Sequence, residues 1–455
     1  MFKRFLFPFV MFLAGCAASS VRDTPTRAQL SPAPLPPMKS FSAARPSAPV
    51  RSNANIAADF LALHFELESG RELPIFTRFD QPITLRVTGA PPESLQSDLS
   101  QLLDRLRREA GINIRQVSDS SANITIEAVS REEIRRALPH AACFVVPNVA
   151  SLAEFRSKRR KPETNWALLR ERRQLGIFLP NDVSPQEVRD CLHEELAQAI
   201  GPLNDLYRLP DSVFNDDNVH TVLTGFDMLI LRASYDPALR NGMTRDEVAA
   251  ALPGILARQN PRGVRVAERP ISKTPRSWID ATQTALGPGA TQRQRHRAAN
   301  DAARIAQQQG WTDHRRAFSH YILGRMVQAD DAETAQQHYR SALYYLSQTP
   351  GTDLQTAYVI TQTAAYALAN GQPQEARKQI GPQLQVAQRA ENAALLSTLM
   401  LLDAEALELQ GQRDKAEDVR LDSLGWARYG FGSDWAVRAR MQEVAALNPR
   451  QELGG

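Results

Sequence analysis

The apolar residues between positions 184 and 201 predict an amphipathic helix, because they recur at three- and four-residue steps. The apolar face consists of Val188, Cys191, Leu192, Leu196, Ala199 and Ile200. Ser184 is placed to cap the helix, with Pro185 at the first helical position and Glu187 completing a Ser-x-x-Glu capping box. Gly201 suits a left-handed residue after the last turn, and Pro202 prevents continuation. One face of this helix is therefore expected to lie in a core.

Patterns before and after this helix predict a mixed α+β region. Alternating polarity predicts strands at 83–88, 112–117, 123–129, 142–147, 168–172 and 175–179, and helical spacing predicts helices at 92–110, 131–138 and 223–235. A further helix is predicted to begin near Met243 and to bend or end at Pro253. Strand patterns stop before about residue 290. From there on, Ala335, Ala376 and Ala416 mark helix–helix turns about 40 residues apart.

Glu195 lies on the apolar face of the central helix, where a carboxylate is unfavourable unless it has a partner. Its neighbours form the spacing Glu194-Glu195-x-x-Gln198-x-x-Gly201-x-x-Asn204, followed by Asp205. This spacing resembles the metzincin zinc-protease motif His-Glu-x-x-His-x-x-Gly-x-x-His with all three histidines replaced. If the motif began at His193, its second ligand position would be Ala197, whose side chain cannot bind a metal.

The metzincin resemblance implies a role for each motif residue. Glu195 would be the general base, while Glu194, Gln198 and Asn204 or Asp205 would occupy the metal-ligand positions. Zinc prefers imidazole and thiolate ligands, so this set is expected to hold zinc weakly or not at all. No cofactor is therefore expected, and a bound divalent metal is the alternative.

Segments after the helix extend the resemblance. Residues 211–215 lie where metzincins have the Met-turn, with Phe214 in place of the methionine, and residues 223–235 resemble the last metzincin helix. Residues from about 140 to 250 also resemble a bacterial family of exported proteins with a domain of unknown function. These resemblances imply an α+β zincin-like domain over residues 56–265.

The alanine repeat predicts an all-α array over residues 290–449, after a linker at 266–289. Ala335, Tyr339 and Ala342 have a spacing that resembles tetratricopeptide repeats, and Leu323-Gly324 precedes them. Such arrays offer a concave surface suited to a peptide or protein partner. The alternative is a helical bundle that only supports the first domain.

The N terminus predicts export and lipid attachment. Lys3 and Arg4 precede an apolar run that ends in Leu13-Ala14-Gly15-Cys16, which predicts a signal peptide at 1–15. These last four residues resemble a bacterial lipobox, which implies a lipid anchor on Cys16; an ordinary signal peptide is the alternative. Ala17 follows the predicted lipid site directly, and in the bacterial sorting rule alanine at this position resembles the signal of an outer-membrane lipoprotein that faces the periplasm. The proline-rich residues 16–55 are predicted to form a tether.

Composition narrows the classes of partner. The formal net charge is +4 over 455 residues and no basic stripe is present, so nucleic acid is not an expected partner. Apart from Cys16 the chain has two cysteines, Cys143 and Cys191. An oxidising compartment favours a disulfide between them over two buried thiols.

The sequence therefore predicts a lipid-anchored envelope protein in which a degenerate zincin-like domain and a helical array act as a non-catalytic binding or scaffold protein. A metallopeptidase with atypical Glu, Gln and Asn ligands and Glu195 as base is the alternative. A third hypothesis is an envelope assembly factor that binds glycan or another lipoprotein.

Overall fold

The computed structural model describes residues 34–42, 46–217, 219–269 and 272–449. These residues form an α/β region with a five-stranded sheet, followed by an array of helices. The predicted signal peptide, the Cys16 lipid site and the first part of the predicted tether lie outside the described residues. No helix within the described segments is long and apolar enough to cross a membrane.

The α/β region alternates strands and helices in the order expected from the sequence. Its elements are α1 (Asn53–Phe65), β1 (Ile83–Gly89), α2 (Glu93–Glu109), β2 (Ile114–Gln116), β3 (Ile124–Val129), α3 (Arg131–Ala137), β4 (Phe144–Pro147), α4 (Leu152–Lys158), β5 (Leu175–Pro180), α5 (Pro185–Ile200), α6 (Gly225–Ser234) and α7 (Arg245–Gln259). The predicted strand at 168–172 is wrong, because 3-10 turns at Pro162–Thr164 and Trp166–Leu168 and a loop occupy this part of the chain. Helix α7 continues past the exposed Pro253 rather than ending there.

The sheet has the strand order β2-β1-β3-β5-β4. The first four strands are parallel, and the edge strand β4 pairs antiparallel with β5, with Phe144 opposite Phe178. Alternation along β5 directs Ile177 to the main core beneath α1, α2 and α5, and Phe178 to a smaller core beneath α3 and α4. Helix α5 follows β5 directly along the chain and packs against β4 and β5.

A disulfide ties the sheet edge to helix α5. It joins Cys143, which immediately precedes β4, to Cys191 in the middle of α5. Cys191 is buried in the main core, and Cys143 packs against the edge of that core. The bond therefore fixes the edge strand to the helix that bears Glu194 and Glu195.

The second half of the described chain is all α-helical, as the sequence predicts. Its helices are α8 (Arg276–Leu286), α9 (Gln292–Gln308), α10 (His314–Val327), α11 (Ala332–Ser347), α12 (Asp353–Ala369), α13 (Pro373–Arg389), α14 (Ala393–Leu409), α15 (Arg413–Phe431) and α16 (Asp434–Ala445). Helices α10 and α11, α12 and α13, and α14 and α15 pack as consecutive pairs. Small residues allow this approach, since a Cβ at Gly324 would lie 2.5 Å from the Tyr339 ring.

Helix α5 also joins the α/β region to the array. Its Arg189 forms an ion pair with Glu391, in the turn between α13 and α14, and both side chains are about 95% buried. Gln186 donates to Asn392 Oδ1 at 3.2 Å and accepts from the backbone N–H of Ala394 at 2.9 Å. The α5–α14 contact is therefore polar, directional and enclosed.

Glu391 holds a backbone conformation that elsewhere in the array belongs to glycine. Its φ is +53°, while the residues with positive φ in neighbouring helix turns are Gly371 and Gly411. A side chain in this left-handed region costs about 1–2 kcal/mol. The carboxylate that pairs with Arg189 gives a physical reason for glutamate at a position that otherwise favours glycine.

The end of the predicted tether packs on the array. Lys39 N–H donates to the Gly425 carbonyl at 3.0 Å, and Arg428 donates to the Pro36 carbonyl at 2.9 Å. Phe41 is 8% exposed and stacks on Trp426 with ring centroids 4.6 Å apart. Residues 36–41 are therefore docked on α15 and are part of the folded unit.

Substitution of Glu391 by glutamine is expected to lower the free energy of unfolding by about 3–5 kcal/mol, because Arg189 would remain buried without a counter-charge. Glu391→Gly should lose about 1 kcal/mol less, since glycine relieves the positive φ. Urea unfolding followed by circular dichroism measures both, with the exposed Glu417→Gln as matched control. Equal stability of Glu391→Gln and the wild type would show that the pair does not hold the two regions together.

Reduction of the disulfide is expected to cost about 4 kcal/mol of stability in the chain-entropy model, because the bond closes a loop of 48 residues. Denaturant unfolding with and without a reductant measures this difference. A Cys143→Ala/Cys191→Ala variant should match the reduced wild type and should not respond to the reductant. A wild-type midpoint that the reductant leaves in place would contradict this assignment.

Candidate functional site

The N-terminal end of helix α5 forms as the sequence predicts, except for one hydrogen bond. Ser184 Oγ accepts from the Glu187 N–H at 3.2 Å, and Pro185 takes the first helical position. The predicted capping box is only half formed, because the Glu187 carboxylate pairs with Arg131 instead of returning to the Ser184 N–H. A tertiary ion pair has replaced the local one.

The C-terminal end of α5 depends on a residue that the sequence patterns missed. Arg172 donates to the carbonyls of Gln198 at 2.6 Å and Ala199 at 2.8 Å, and also to that of Gly201. The end of a helix leaves these carbonyls without partners, and a cation there interacts favourably with the negative end of the helix dipole. Arg172 is 4% exposed, and burial lowers its pKa to about 10.

Gly201 ends α5 for a reason of space rather than of backbone handedness. Its φ is −146°, so the predicted left-handed conformation is wrong. A Cβ at this position would lie 2.6 Å from Cδ2 of Leu231 in α6. Glycine is therefore required by the close packing of α6 on the end of α5.

The four motif residues on and after α5 are largely enclosed but do not share one role. Glu195, Gln198 and Asn204 are 5%, 7% and 4% exposed, and Glu194 is half-buried. Glu195 Oε2 is enclosed and accepts no hydrogen bond from the described residues. The Asn204 amide donates to the carbonyl of Ala62 in α1 at 3.0 Å, which gives this side chain a structural partner.

Asp205 rather than Asn204 faces the other carboxylates. Burial raises its pKa well above the ordinary value, and the charges of Glu68 and Glu194 raise it further. Glu68, an exposed residue in the loop after α1, contributes the largest of these charges.

Asp190, Glu194 and Glu195 of α5, together with Glu68 and Asp205, form what we call the acidic cluster. Burial raises the pKa of Glu194, and so do the charges of Glu195 and Asp190. Burial and the charge of Glu68 raise the pKa of Glu195. Asp190, one turn before Glu194, has a pKa raised to about 7, mainly by burial. The four-residue spacing of Asp190 and Glu194 was a sequence signal for this extension of the site.

These residues do not fit a metal ion. Across the described residues, no three His, Cys, Asp or Glu side chains are grouped so that they could hold one. The Asn204 amide nitrogen donates to the carbonyl of Ala62.

His193, the rejected alternative ligand, has a structural role. It is 2% exposed, and its Nδ1 accepts from the backbone N–H of Leu223 at 3.1 Å. Burial and the charges of Arg189 and Arg105 lower its pKa well below the usual value, so the ring is neutral. The imidazole fixes the entry to α6 against α5.

Residues 211–215, at the predicted Met-turn position, are held in place by hydrogen bonds to Asp227 of α6. The Asp227 carboxylate accepts from Ser212 Oγ, from the Val213 N–H at 3.2 Å and from the Thr224 N–H at 2.7 Å. Thr224 and Asp227 form a capping box at the start of α6. Phe214 is fully buried in the main core. This loop is therefore tied to the start of α6 and packed into the main core.

Comparison with known proteins finds a family match for most of the α/β region, and that family has no described activity. Residues 53–254 match a family described as Protein of unknown function (DUF2927). The match spans the whole sheet, helix α5 and the acidic cluster. Neither the curated proteins nor the solved structures include a match to this chain.

Glu195→Gln is expected to stabilise the protein at pH 8 by about 1–3 kcal/mol, because glutamine does not titrate, whereas burial makes the ionised form of Glu195 unfavourable at this pH. The folded-state pKa of Glu195 is raised, so its ionisation costs stability above the ordinary pKa and the cost disappears as the pH falls. The variant's advantage should therefore shrink toward pH 4.5. Urea unfolding at several pH values measures this, with the exposed Glu163→Gln as control. A variant less stable than the wild type at pH 8 would show that Glu195 has an ionic partner.

Proposed function

We propose that this protein is a non-catalytic binding protein of the bacterial envelope, built from a zincin-like α/β domain and a tetratricopeptide-like array. The α/β domain serves as the support, and the array offers the contact surface. The chain is anchored through a lipid on Cys16 in the outer membrane and faces the periplasm.

The observation that carries this proposal is the set of contacts that helix α5 makes at its two ends. Its Arg189 and Gln186 bind the α13–α14 turn and the start of α14, and Arg172 caps its far end. Between these contacts, Glu194 and Glu195 lie in an acidic cluster, and the described residues contain no group of three His, Cys, Asp or Glu side chains that could hold a metal ion. The helix that would position a protease's catalytic groups therefore works as a joint between the two regions.

The element order supports the zincin-like part of the proposal. A strand, a helix and further strands precede α5, and the antiparallel edge strand β4 lies beside β5 and against α5. The segment at the predicted Met-turn position is tied to α6 through Asp227. This order of elements is what supports the zincin-like part of the proposal.

The array supports the binding part of the proposal. A groove of about 510 Å³ crosses helices α11, α12, α14 and α16, and Tyr339, Tyr366 and Arg440 contribute to its walls. A groove that crosses successive helices is the usual binding surface of a helical repeat array. An extended peptide segment of a protein partner fits such a surface.

Zinc analysis and proteolysis assays on the purified full chain separate this function from a metallopeptidase. After incubation with zinc and dialysis, the wild type is expected to retain less than one zinc per chain and to cleave no casein above background. Glu195→Gln and the exposed Glu163→Gln should give the same result. One tightly held zinc per chain, together with cleavage that only Glu195→Gln abolishes, would overturn the proposal in favour of a peptidase.

A further inference from the structure

A cavity of about 210 Å³ lies between the loop that follows α5 and helices α8, α10 and α12. Its walls are largely aromatic: Tyr207, Trp278, Phe318, Tyr321 and Tyr358. Tyr207 and Trp278 meet edge to face with centroids 5.1 Å apart, and Trp278 and Phe318 lie 6.3 Å apart. The α/β region and the array each contribute one side of this cavity.

Three polar side chains that line the cavity are more than nine-tenths buried and each has an atom without a partner. Asn215, His314 and Gln355 are 4%, 4% and 8% exposed. The unpartnered atoms are Asn215 Oδ1, His314 Nδ1 and Gln355 Oε1. A buried polar atom without a hydrogen bond costs about as much as a lost bond, so three in one cavity indicate a missing partner.

All three unpartnered atoms are hydrogen-bond acceptors. The Asn215 amide nitrogen donates to the Leu209 carbonyl at 2.6 Å, and the Gln355 amide nitrogen donates to the Pro210 carbonyl at 2.6 Å, so the oxygens are left free. His314 Nε2 lies 2.7 Å from the Tyr207 carbonyl and must carry the hydrogen, which leaves Nδ1 as an acceptor. Burial lowers the His314 pKa to about 4, so the ring is neutral.

The charge around the cavity favours a cation. Asp217 lines it and accepts from Asn215 Nδ2 at 3.0 Å and from the Val219 N–H at 3.1 Å. Burial raises the pKa of Asp217 to about 7, so its carboxylate supplies a negative charge above that pH. Of the two arginines in the lining, Arg315 is neutralised by its ion pair with Asp313. Arg325 is exposed, so water and salt screen its charge.

The geometry points to a binding site for a primary ammonium group on a short apolar chain, as in an alkylamine or a lysine side chain. The ammonium group supplies three N–H donors, which matches the three free acceptors. Aromatic walls stabilise a cation by cation–π attraction and also accommodate the methylene groups. An anion would meet acceptors and Asp217, and a neutral alcohol could satisfy only one acceptor.

Titration calorimetry on the full chain tests this site with four small probes. We expect 1-pentylamine to bind and to raise the melting temperature, while 1-pentanol and pentanoate at equal concentration do neither. Tetramethylammonium should bind more weakly than pentylamine, because it has no N–H donor. Nα-acetyllysine N-methylamide distinguishes the two sources: binding by this compound as well assigns the site to a lysine side chain, and binding by pentylamine alone assigns it to a free amine.

Variants locate the binding in this cavity. Asp217→Asn should weaken amine affinity about tenfold or more, whereas the same change at the exposed Asp330 should leave it unchanged. Ala317→Met, which fills the cavity, should abolish binding in a protein whose circular dichroism spectrum is unchanged. Absence of amine binding to the wild type, or equal binding of pentanol or pentanoate, would overturn the proposal.

This site shares no residue with the acidic cluster of α5. Zinc-dependent cleavage through Glu195 would therefore overturn the proposed function and leave the amine site standing. Loss of amine binding would remove the site and leave the scaffold role of α5 unchanged.

Discussion

The burial of helix α5 is the constraint on which the rest of the structure depends. The helix packs against the sheet, α2 and α15, and most of its side chains are inaccessible to water. Each charged group on it therefore requires a counter-charge, a hydrogen-bond partner or a proton. Arg189 has Glu391, His193 is neutral and accepts from Leu223, and burial raises the pKa values of Glu194 and Glu195.

These requirements explain features far from the helix in sequence. Glu391, in the left-handed turn between α13 and α14, supplies the counter-charge for Arg189. Arg172 donates to carbonyls at the end of α5 that have no partner within the helix. The two contacts act on opposite ends of α5, so the α/β region and the array are fixed relative to the same helix. A cavity lined from both sides, such as the aromatic cavity near Asp217, depends on that fixed arrangement.

The same burial accounts for the chemistry of the acidic cluster. Carboxyls that are close together and poorly solvated take up protons instead of remaining ionised. Burial raises the pKa values of Asp205 and Glu195, and neighbouring carboxylates raise both further. The free acceptors beside Asp217 lie in a separate cavity with aromatic walls.

The sequence by itself determined most of the elements and their order, because periodicity and capping are local properties: α5, β3, β5 and the start of α7 lie where their patterns predict. It also indicated the motif spacing and the alanines of the array. Only the tertiary structure decided that 168–172 is a loop with Arg172 as a cap, that Gly201 makes room for Leu231, and that Asp205 rather than Asn204 joins the carboxylates. These outcomes depend on which side chain a distant segment brings to each helix end, and spacing along the chain contains no record of such contacts.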